Sequence, residues 1–170
     1  MMNVTSAQAA KILRNLTNEL SDLLRLENKV STFVAAVGED PESVRPAYSF
    51  EETAAKKKEL EEKIRKIKHA LNVFNINTVV PGFNMTIDEV LVYMPQLTAD
   101  VSRLNSLKSA LPKERVDSYG RTSVGLIDYR YANYDITAAE REYQTATDTL
   151  AKLQLALDAV NNTAEFEIDV

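Results

Sequence analysis

The chain has 170 residues, of which 45% are hydrophobic and 26% are charged, and its formal net charge is −5. A chain of this length can bury a core as one domain, and its acidic balance argues against a dedicated nucleic-acid binder. Because the sequence contains no cysteine, disulfides, thiolate metal sites and cysteine nucleophiles are excluded. No basic segment followed by an apolar core opens the sequence, so we expect a cytoplasmic protein.

The first predicted helix covers residues 5–37. Thr5 or Ser6 can cap its start, and Gly38 is placed to end it as a glycine beyond the last turn. Glu27 is the polar member of an otherwise apolar seam that recurs at steps of three and four. The apolar members of this seam are Ala9, Leu13, Leu16, Leu20, Leu23, Val30, Val34 and Val37.

A connecting loop with two prolines is predicted over 39–47, and a second helix over 50–76. Ser49 and Glu52 have the spacing of a capping box at the start of this helix. Its seam consists of Leu60, Ile64, Ile67, Leu71 and Phe74. A short strand, Val79–Val80, is expected to follow.

A third helix is predicted over 86–111, where Thr86 and Glu89 repeat the spacing of a capping box. Its seam consists of Val90, Met94, Leu97, Val101, Leu104 and Leu111. Pro95 lies inside this helix, which predicts a kink about one turn before it. Pro112 is expected to stop the helix.

Residues 113–135 are predicted to form a β-like arm, because apolar and polar residues alternate there at a period of two. The fourth helix is predicted over 136–161. Its seam consists of Ile136, Ala139, Tyr143, Ala146, Leu150, Leu153, Leu157 and Val160. A strand-like tail with one wet face is expected over 164–170, where apolar residues alternate with acidic ones.

These elements predict a mainly all-α fold of four long antiparallel helices, arranged as two helical hairpins. A small β element is expected from the arm, the Val79–Val80 strand and the C-terminal tail. Residues 1–170 are expected to form a single helical domain. The apolar seams exceed what one narrow bundle can cover, so we also expect a homo-oligomer.

Four short patterns at the helix boundaries carry a resemblance to a known family. They are Glu39-Asp40-Pro41, Asn75-x-Asn77-Thr78, Thr86-x-x-Glu89 and Leu157-Asp158-x-x-Asn161. In this respect the chain resembles the septicolysin-like family of bacterial proteins, although Val160 and Asn162 stand where that family has Gln and Trp. The resemblance implies an elongated, coiled-coil-like helical protein, and the family name suggests membrane activity.

No catalytic, cofactor-binding or metal-binding constellation emerges from the sequence. His69 is the only histidine, and it falls on the face of the second helix opposite the seam, where a surface role is expected. A di-iron site needs Glu three residues before an inward-facing His, whereas Lys66 occupies that position. Four glycines in the whole chain leave no phosphate-binding loop. We therefore expect a protein that is not an enzyme and needs no cofactor.

A basic cluster occupies the second helix, and it is interleaved with glutamates. The cluster consists of Lys56, Lys57, Lys58, Lys63, Arg65, Lys66 and Lys68. Such a cluster can meet phosphates or an anionic membrane surface. The favoured interpretation is a solvated helix face held by ion pairs between residues four apart.

The arm carries the candidate binding residues, in which tyrosines and arginines are concentrated. They are Arg115, Tyr119, Arg121, Tyr129, Arg130, Tyr131 and Tyr134. Tyr and Arg dominate binding hot spots between proteins, and they also stack on single-stranded bases. A structural alternative is a hairpin laid over the helix ends, its tyrosines half-buried with their hydroxyls in water.

The sequence therefore favours a non-enzymatic structural or protein-interaction module that oligomerises through its helical seams. Its protein partner is not identified by any motif. The alternatives are a membrane-active protein, which follows from the family resemblance, and a weak nucleic-acid binder through the Tyr/Arg arm.

Overall fold

The computed structural model describes residues 1–116 and 128–169. Contacts within the chain group them into two compact units. The first unit is formed by Met1–Thr78 and Ala159–Val170, and the second by Val79–Asp158. That the whole chain folds as a single domain stays a prediction.

The part of the chain that the structure describes is mainly helical, which confirms the predicted all-α class. Its helices are α1 (Ser6–Val30), α2 (Pro41–Val44), α3 (Phe50–Asn77), α4 (Ile87–Lys108) and α5 (Ile136–Thr163). Its strands are β1 (Met2–Thr5), β2 (Val79–Val80), β3 (Met85–Thr86), β4 (Lys113–Val116), β5 (Asp128–Tyr131) and β6 (Glu165–Ile168). The strands form three separate antiparallel pairs, β1 with β6, β2 with β3 and β4 with β5. The expected single β element is therefore divided among three places.

In the first unit, α1 and α3 form an antiparallel helical hairpin. Lys56 near the start of α3 lies 3.0 Å from Glu19 of α1, and the Tyr48 hydroxyl donates a 2.7 Å hydrogen bond to Glu27. The fully buried side chains of Ala9 and Ile67 belong to one core cluster of this unit. Apolar seams on both helices thus meet, as the sequence predicts.

Helix α1 ends at Val30, seven residues before the predicted end at residue 37. The seam pattern continues through Val34, but that side chain is 92% exposed. The partner helix α3 begins at Phe50, and the residue just before its cap bonds to α1 near Glu27. Past Val30, α3 no longer faces α1 and cannot bury its apolar side chains. Because most helices are stabilised by packing rather than by propensity, α1 ends there.

The loop predicted over 39–47 contains a short helix, α2. Asp40 caps it by accepting a 3.1 Å hydrogen bond from the backbone N–H of Glu42, and Pro41 occupies its first turn. Proline is well suited to that position because it lacks an N–H that would be left unpaired. The prolines that predicted a loop therefore also start a single helical turn.

Strand β1 is an element that sequence reasoning missed, because four residues are too few to show a pattern. It pairs antiparallel with β6 in the register Val4 with Phe166 and Met2 with Ile168. Val4 and Ile168 are buried in the core of the first unit, and the Phe166 ring stacks on Phe74 at 4.6 Å. The acidic residues of β6 are exposed, as predicted for a strand with one wet face.

In the second unit, β2 and β3 form a short hairpin that leads into α4. Gly82 has a φ of 86°, which suits a glycine in the turn. Thr86 and Glu89 form the predicted capping box, and α4 continues through Pro95 to Lys108, three residues short of the predicted end. The end of α4 meets the start of α5, since Lys108 lies over the ring of Tyr143.

Candidate functional site

The arm is an antiparallel strand pair, β4 with β5, as the alternating pattern predicts. In its register Lys113 faces Tyr131 and Arg115 faces Tyr129. Side chains directly opposite one another in such a pair project from the same face of the sheet. One face of the arm therefore carries two cations and two tyrosines. We call it the tyrosine face: Lys113, Arg115, Tyr129 and Tyr131.

The tyrosine face is both exposed and ordered by internal contacts. Tyr129 is 44% exposed and Tyr131 is 61% exposed. Their ring centroids are 6.5 Å apart with an interplanar angle of 51°. The ammonium of Lys113 lies 4.0 Å from the centroid of Tyr129 and 5.4 Å from that of Tyr131. A cation near two ring faces is attracted to both, so the three side chains form one surface.

The opposite face of the arm carries Glu114 and Arg130, which are paired across the strands. The Arg130 Nη1 atom lies 3.7 Å from Glu114 Oε2, and both side chains are more than half exposed. An exposed ion pair at this distance contributes little to stability. A cavity of about 310 Å³ lies at the base of the arm, lined by Ala110, Leu111, Glu114, Arg130, Tyr131, Ala132, Asn133 and Tyr134.

Tyr134 follows the arm and holds it to the end of α4. Its hydroxyl donates a 2.8 Å hydrogen bond to the backbone carbonyl oxygen of Leu107. That carbonyl lies in the last turn of α4 and also accepts a 3.2 Å hydrogen bond from the backbone N–H of Ala110, just beyond the helix. The hydroxyl is therefore bound to protein, in contrast to the alternative that left the hydroxyls of the arm in water.

The predicted site residues that the structure describes separate into three groups. Arg115, Tyr129 and Tyr131 share the tyrosine face, whereas Arg130 projects from the opposite one. Tyr134 has a structural contact at the base. The remaining two predicted residues, Tyr119 and Arg121, lie outside the described residues.

Lys113 is the residue of the tyrosine face that sequence reasoning missed. It is the first residue of β4 and directly follows Pro112, which lies beyond the end of α4 at Lys108. Only the register of the two strands brings it opposite Tyr131. The sequence does contain one indication: Lys113 and Arg115 are two residues apart, and residues at that spacing lie on the same face of a strand.

The basic cluster of α3 is largely neutralised by glutamates, in agreement with the favoured interpretation. Lys57 pairs with Glu61 at 2.7 Å and Lys63 with Glu59 at 2.7 Å, each four residues apart. The hydrogen bond between the second pair raises the pKa of the Lys63 ammonium and lowers the pKa of the Glu59 carboxyl. Lys66 lies 3.2 Å from Glu62, and Lys56 is held by Glu19 of α1.

The described parts of the chain, 1–116 and 128–169, contain no group of three or more His, Cys, Asp or Glu side chains arranged to hold a metal ion. None of their helices combines the length and the apolar character that crossing a bilayer requires.

No protein-family model matches this chain, and no curated protein matches it. Among solved structures, it is similar to the crystal structure of a functionally unknown conserved protein from Corynebacterium diphtheriae. The likeness covers 98% of this chain and 100% of the other, with a TM-score of 0.61 and 19% sequence identity. At this identity the likeness shows that the two chains share a fold.

Proposed function

We propose that this protein is a non-enzymatic interaction module that binds a protein partner through the tyrosine face of its arm. The observation that carries the proposal is the exposed pair Tyr129 and Tyr131, arranged around the ammonium of Lys113. Tyrosine offers a large contact area with few rotatable bonds, which is why it is enriched at interface hot spots.

The contacts within the face support binding for a second reason. A side chain that is already held loses less conformational entropy when a partner immobilises it. Lys113 restricts both rings, and the register adds Arg115 to the same face. The partner that best fits this surface offers an acidic group to Lys113 and flat apolar area to the two tyrosine rings.

Photo-crosslinking from the face can identify the partner, and titration with the purified partner then tests the face. A photoreactive phenylalanine at position 129 should give one specific adduct in a lysate of the source cell. In titrations, the double variant Tyr129→Ala/Tyr131→Ala should weaken partner binding at least about tenfold, the usual effect of losing a hot spot.

Arg130→Ala is the matched control, because Arg130 lies on the opposite face of the same strand. It should bind the partner like the wild type, and circular dichroism should be unchanged in both variants. Equal loss of affinity in Arg130→Ala and in the tyrosine variant would contradict a site on one face.

Oligomerisation through helical seams is a second part of the proposal. Its support is exposed apolar side chains beside the seams of the second unit, where Leu155 is 73% exposed and Val92 is 61% exposed. The seam residues Val90 and Leu153 are themselves buried within one chain. Monomeric proteins rarely expose contiguous apolar patches, and a second copy is the partner always present at equal concentration. Light scattering on a size-exclusion column should give a mass above one chain; a monomer at micromolar concentration contradicts this part.

A nucleic-acid partner is the alternative that the tyrosine face itself supports, since tyrosines next to cations stack on single-stranded bases. The net charge of −5 weighs against it. Anisotropy titration with a labelled single strand separates the two functions, because phosphate contacts make affinity fall steeply as salt is raised.

Membership of the septicolysin-like family remains a proposal, supported by the four boundary patterns and the helical fold. The alternative of a membrane-active protein rests on this family resemblance. Dye release from liposomes of anionic lipid tests that alternative, and the absence of leakage at high protein concentration removes it.

A further inference from the structure

Helix α3 has two flanks of different electrostatic character. On one flank Lys56 meets Glu19 of α1, so that a cation and a carboxylate face one another across the hairpin. Elsewhere on the helix, Arg65 and Lys68 have no carboxylate within 4.0 Å among the described residues. Together with Lys58, these two cations are the members of the basic cluster that have no carboxylate partner among the described residues.

Arg65 and Lys68 line a surface groove of about 440 Å³ that lies between α1 and α3. The half-buried side chains of Leu20 and Ile64 form its apolar floor, and both belong to the seams that join the two helices. His69 also lines the groove, and its ring N–H can donate to an anion.

The residues that line the groove include more cations than carboxylates, although the chain as a whole is acidic. Glu61 is the carboxylate among its lining residues, and Lys57 holds that carboxylate at 2.7 Å. Arg65 and Lys68 therefore carry two positive charges beside an apolar floor, with no carboxylate within 4.0 Å among the described residues. Their separation of three residues places them on neighbouring turns of one helix face, within reach of one small anion.

We propose that this groove binds a small amphipathic anion. Its carboxylate or phosphate group pairs with Arg65 and Lys68, and its alkyl chain or ring covers Leu20 and Ile64. Arg suits the first contact because its planar guanidinium can donate two parallel hydrogen bonds to such a group.

The extent of the floor favours a small ligand over a helix from a protein partner. A helix seated in a groove needs apolar anchors over two or more turns, in the pattern i, i+3, i+4 and i+7. The floor offers Leu20 and Ile64 alone among the described lining residues. It matches a single short apolar group joined to an anionic head.

The test uses the full ¹⁵N-labelled chain, titrated with octanoate and with octyl phosphate below their micelle-forming concentrations. We expect saturable shifts of the backbone amides around Ile64 and Lys68 with at least one of these anions. Octanol has the alkyl chain without the anionic group, and acetate has the carboxylate without the chain. Each should bind at least about tenfold more weakly than the anion that contains both parts.

The variant Arg65→Gln/Lys68→Gln should weaken binding at least about tenfold, the effect of removing charge-assisted hydrogen bonds. Lys56→Gln/Lys63→Gln is the matched control, because it removes the same charge from the same helix at lysines that already have carboxylate partners. If both variants weakened binding equally, the loss would come from the change in net charge and not from the groove, and the proposal would be overturned.

Two further outcomes would also overturn the proposal. One is the absence of amide shifts in the groove with either anion at millimolar concentration. The other is saturable binding of an acidic amphipathic peptide at the same amides while neither anion binds, which would assign the groove to a protein partner.

Discussion

Lys113 and Tyr129 lie diagonally across the two arm strands, since Lys113 is paired with Tyr131, and the Lys113 ammonium lies 4.0 Å from the centroid of the Tyr129 ring. The same ammonium is 5.4 Å from Tyr131. One lysine therefore links two exposed aromatic side chains that would otherwise sample several rotamers in water. Interactions of this kind contribute about 0.5–1 kcal/mol at exposed sites, enough to bias rotamers without fixing the fold.

Lys113→Met should loosen the tyrosine face while it keeps a long apolar side chain over the rings. We expect the ring resonances of Tyr129 and Tyr131 to shift and partner affinity to fall by about threefold to tenfold, because the cation–π contact is lost. Two-dimensional NMR of ring-labelled tyrosine and titration with the purified partner measure the two effects.

Lys58→Met controls for loss of one positive charge at an exposed position outside the arm. It should leave both the resonances and the affinity unchanged. If the rings of Lys113→Met kept their wild-type shifts, the cation would not order the face.

Ile67→Ala should destabilise the first unit strongly. The Ile67 side chain has 0% exposure and belongs to the core cluster with Val4 and Ile168. Removal of a buried isoleucine to alanine costs about 2–5 kcal/mol, because apolar contact is lost and a cavity remains. Urea unfolding followed by circular dichroism gives the change in the free energy of unfolding.

Ile76→Ala is the matched control, since it removes the same atoms from the same helix at a position that is 55% exposed. Its cost should stay within about 0.5–1 kcal/mol. Similar losses at the two positions would mean that the core of this unit does not lie along the Ile67 face.

The helices were predictable because each carries a long apolar repeat and a local start signal. Ser49 and Thr86 cap α3 and α4 at the positions that the sequence indicates, since a capping side chain acts within its own turn. The end of α1 was not predictable, because it depends on where its partner helix begins, 20 residues later in the chain at Phe50. The pattern at Val34 is real, but nothing in the hairpin covers it.

The candidate site shows the same division between local and long-range information. Alternation within 113–135 predicts the strands and the aromatic character of the arm. Which residues share a face depends on register, and register is set by pairing between β4 and β5. Composition alone places Arg130 with the tyrosines, whereas the register projects it from the opposite face. The register also brings Lys113 opposite Tyr131, which composition does not indicate.

Glu89→Gln should make the stability of the second unit less dependent on acid pH. Glu89 accepts hydrogen bonds from the backbone N–H and the hydroxyl of Thr86, which lower the pKa of its carboxyl. The native state thus binds this proton less readily than the unfolded state does. The stabilisation is fully present above the unfolded-state pKa and is lost as pH falls through the lower, folded-state pKa.

Urea unfolding at a series of pH values between neutral and strongly acidic measures this effect as the difference between variant and wild type. The difference should shrink as the pH falls, because the wild type loses a contribution that the variant lacks. Glu140→Gln, at an exposed position of α5 with no hydrogen bond among the described residues, serves as control. Parallel curves for Glu89→Gln and wild type would show that the capping carboxylate contributes nothing dependent on pH.

Tyr134→Phe should detach the base of the arm from α4 without altering the tyrosine face. The variant removes the hydroxyl that donates to the Leu107 carbonyl oxygen at 2.8 Å, and such a hydrogen bond contributes about 0.5–1.5 kcal/mol net. Faster hydrogen exchange of amides in β4 and β5 should accompany a modest loss of stability, because the strand pair opens more often when its anchor is weaker. Tyr131→Phe removes the same atom from a neighbouring tyrosine whose hydroxyl has no hydrogen-bond partner among the described residues, and it should change neither quantity. An exchange rate equal in the two variants would mean that the Tyr134 hydroxyl does not hold the arm in place.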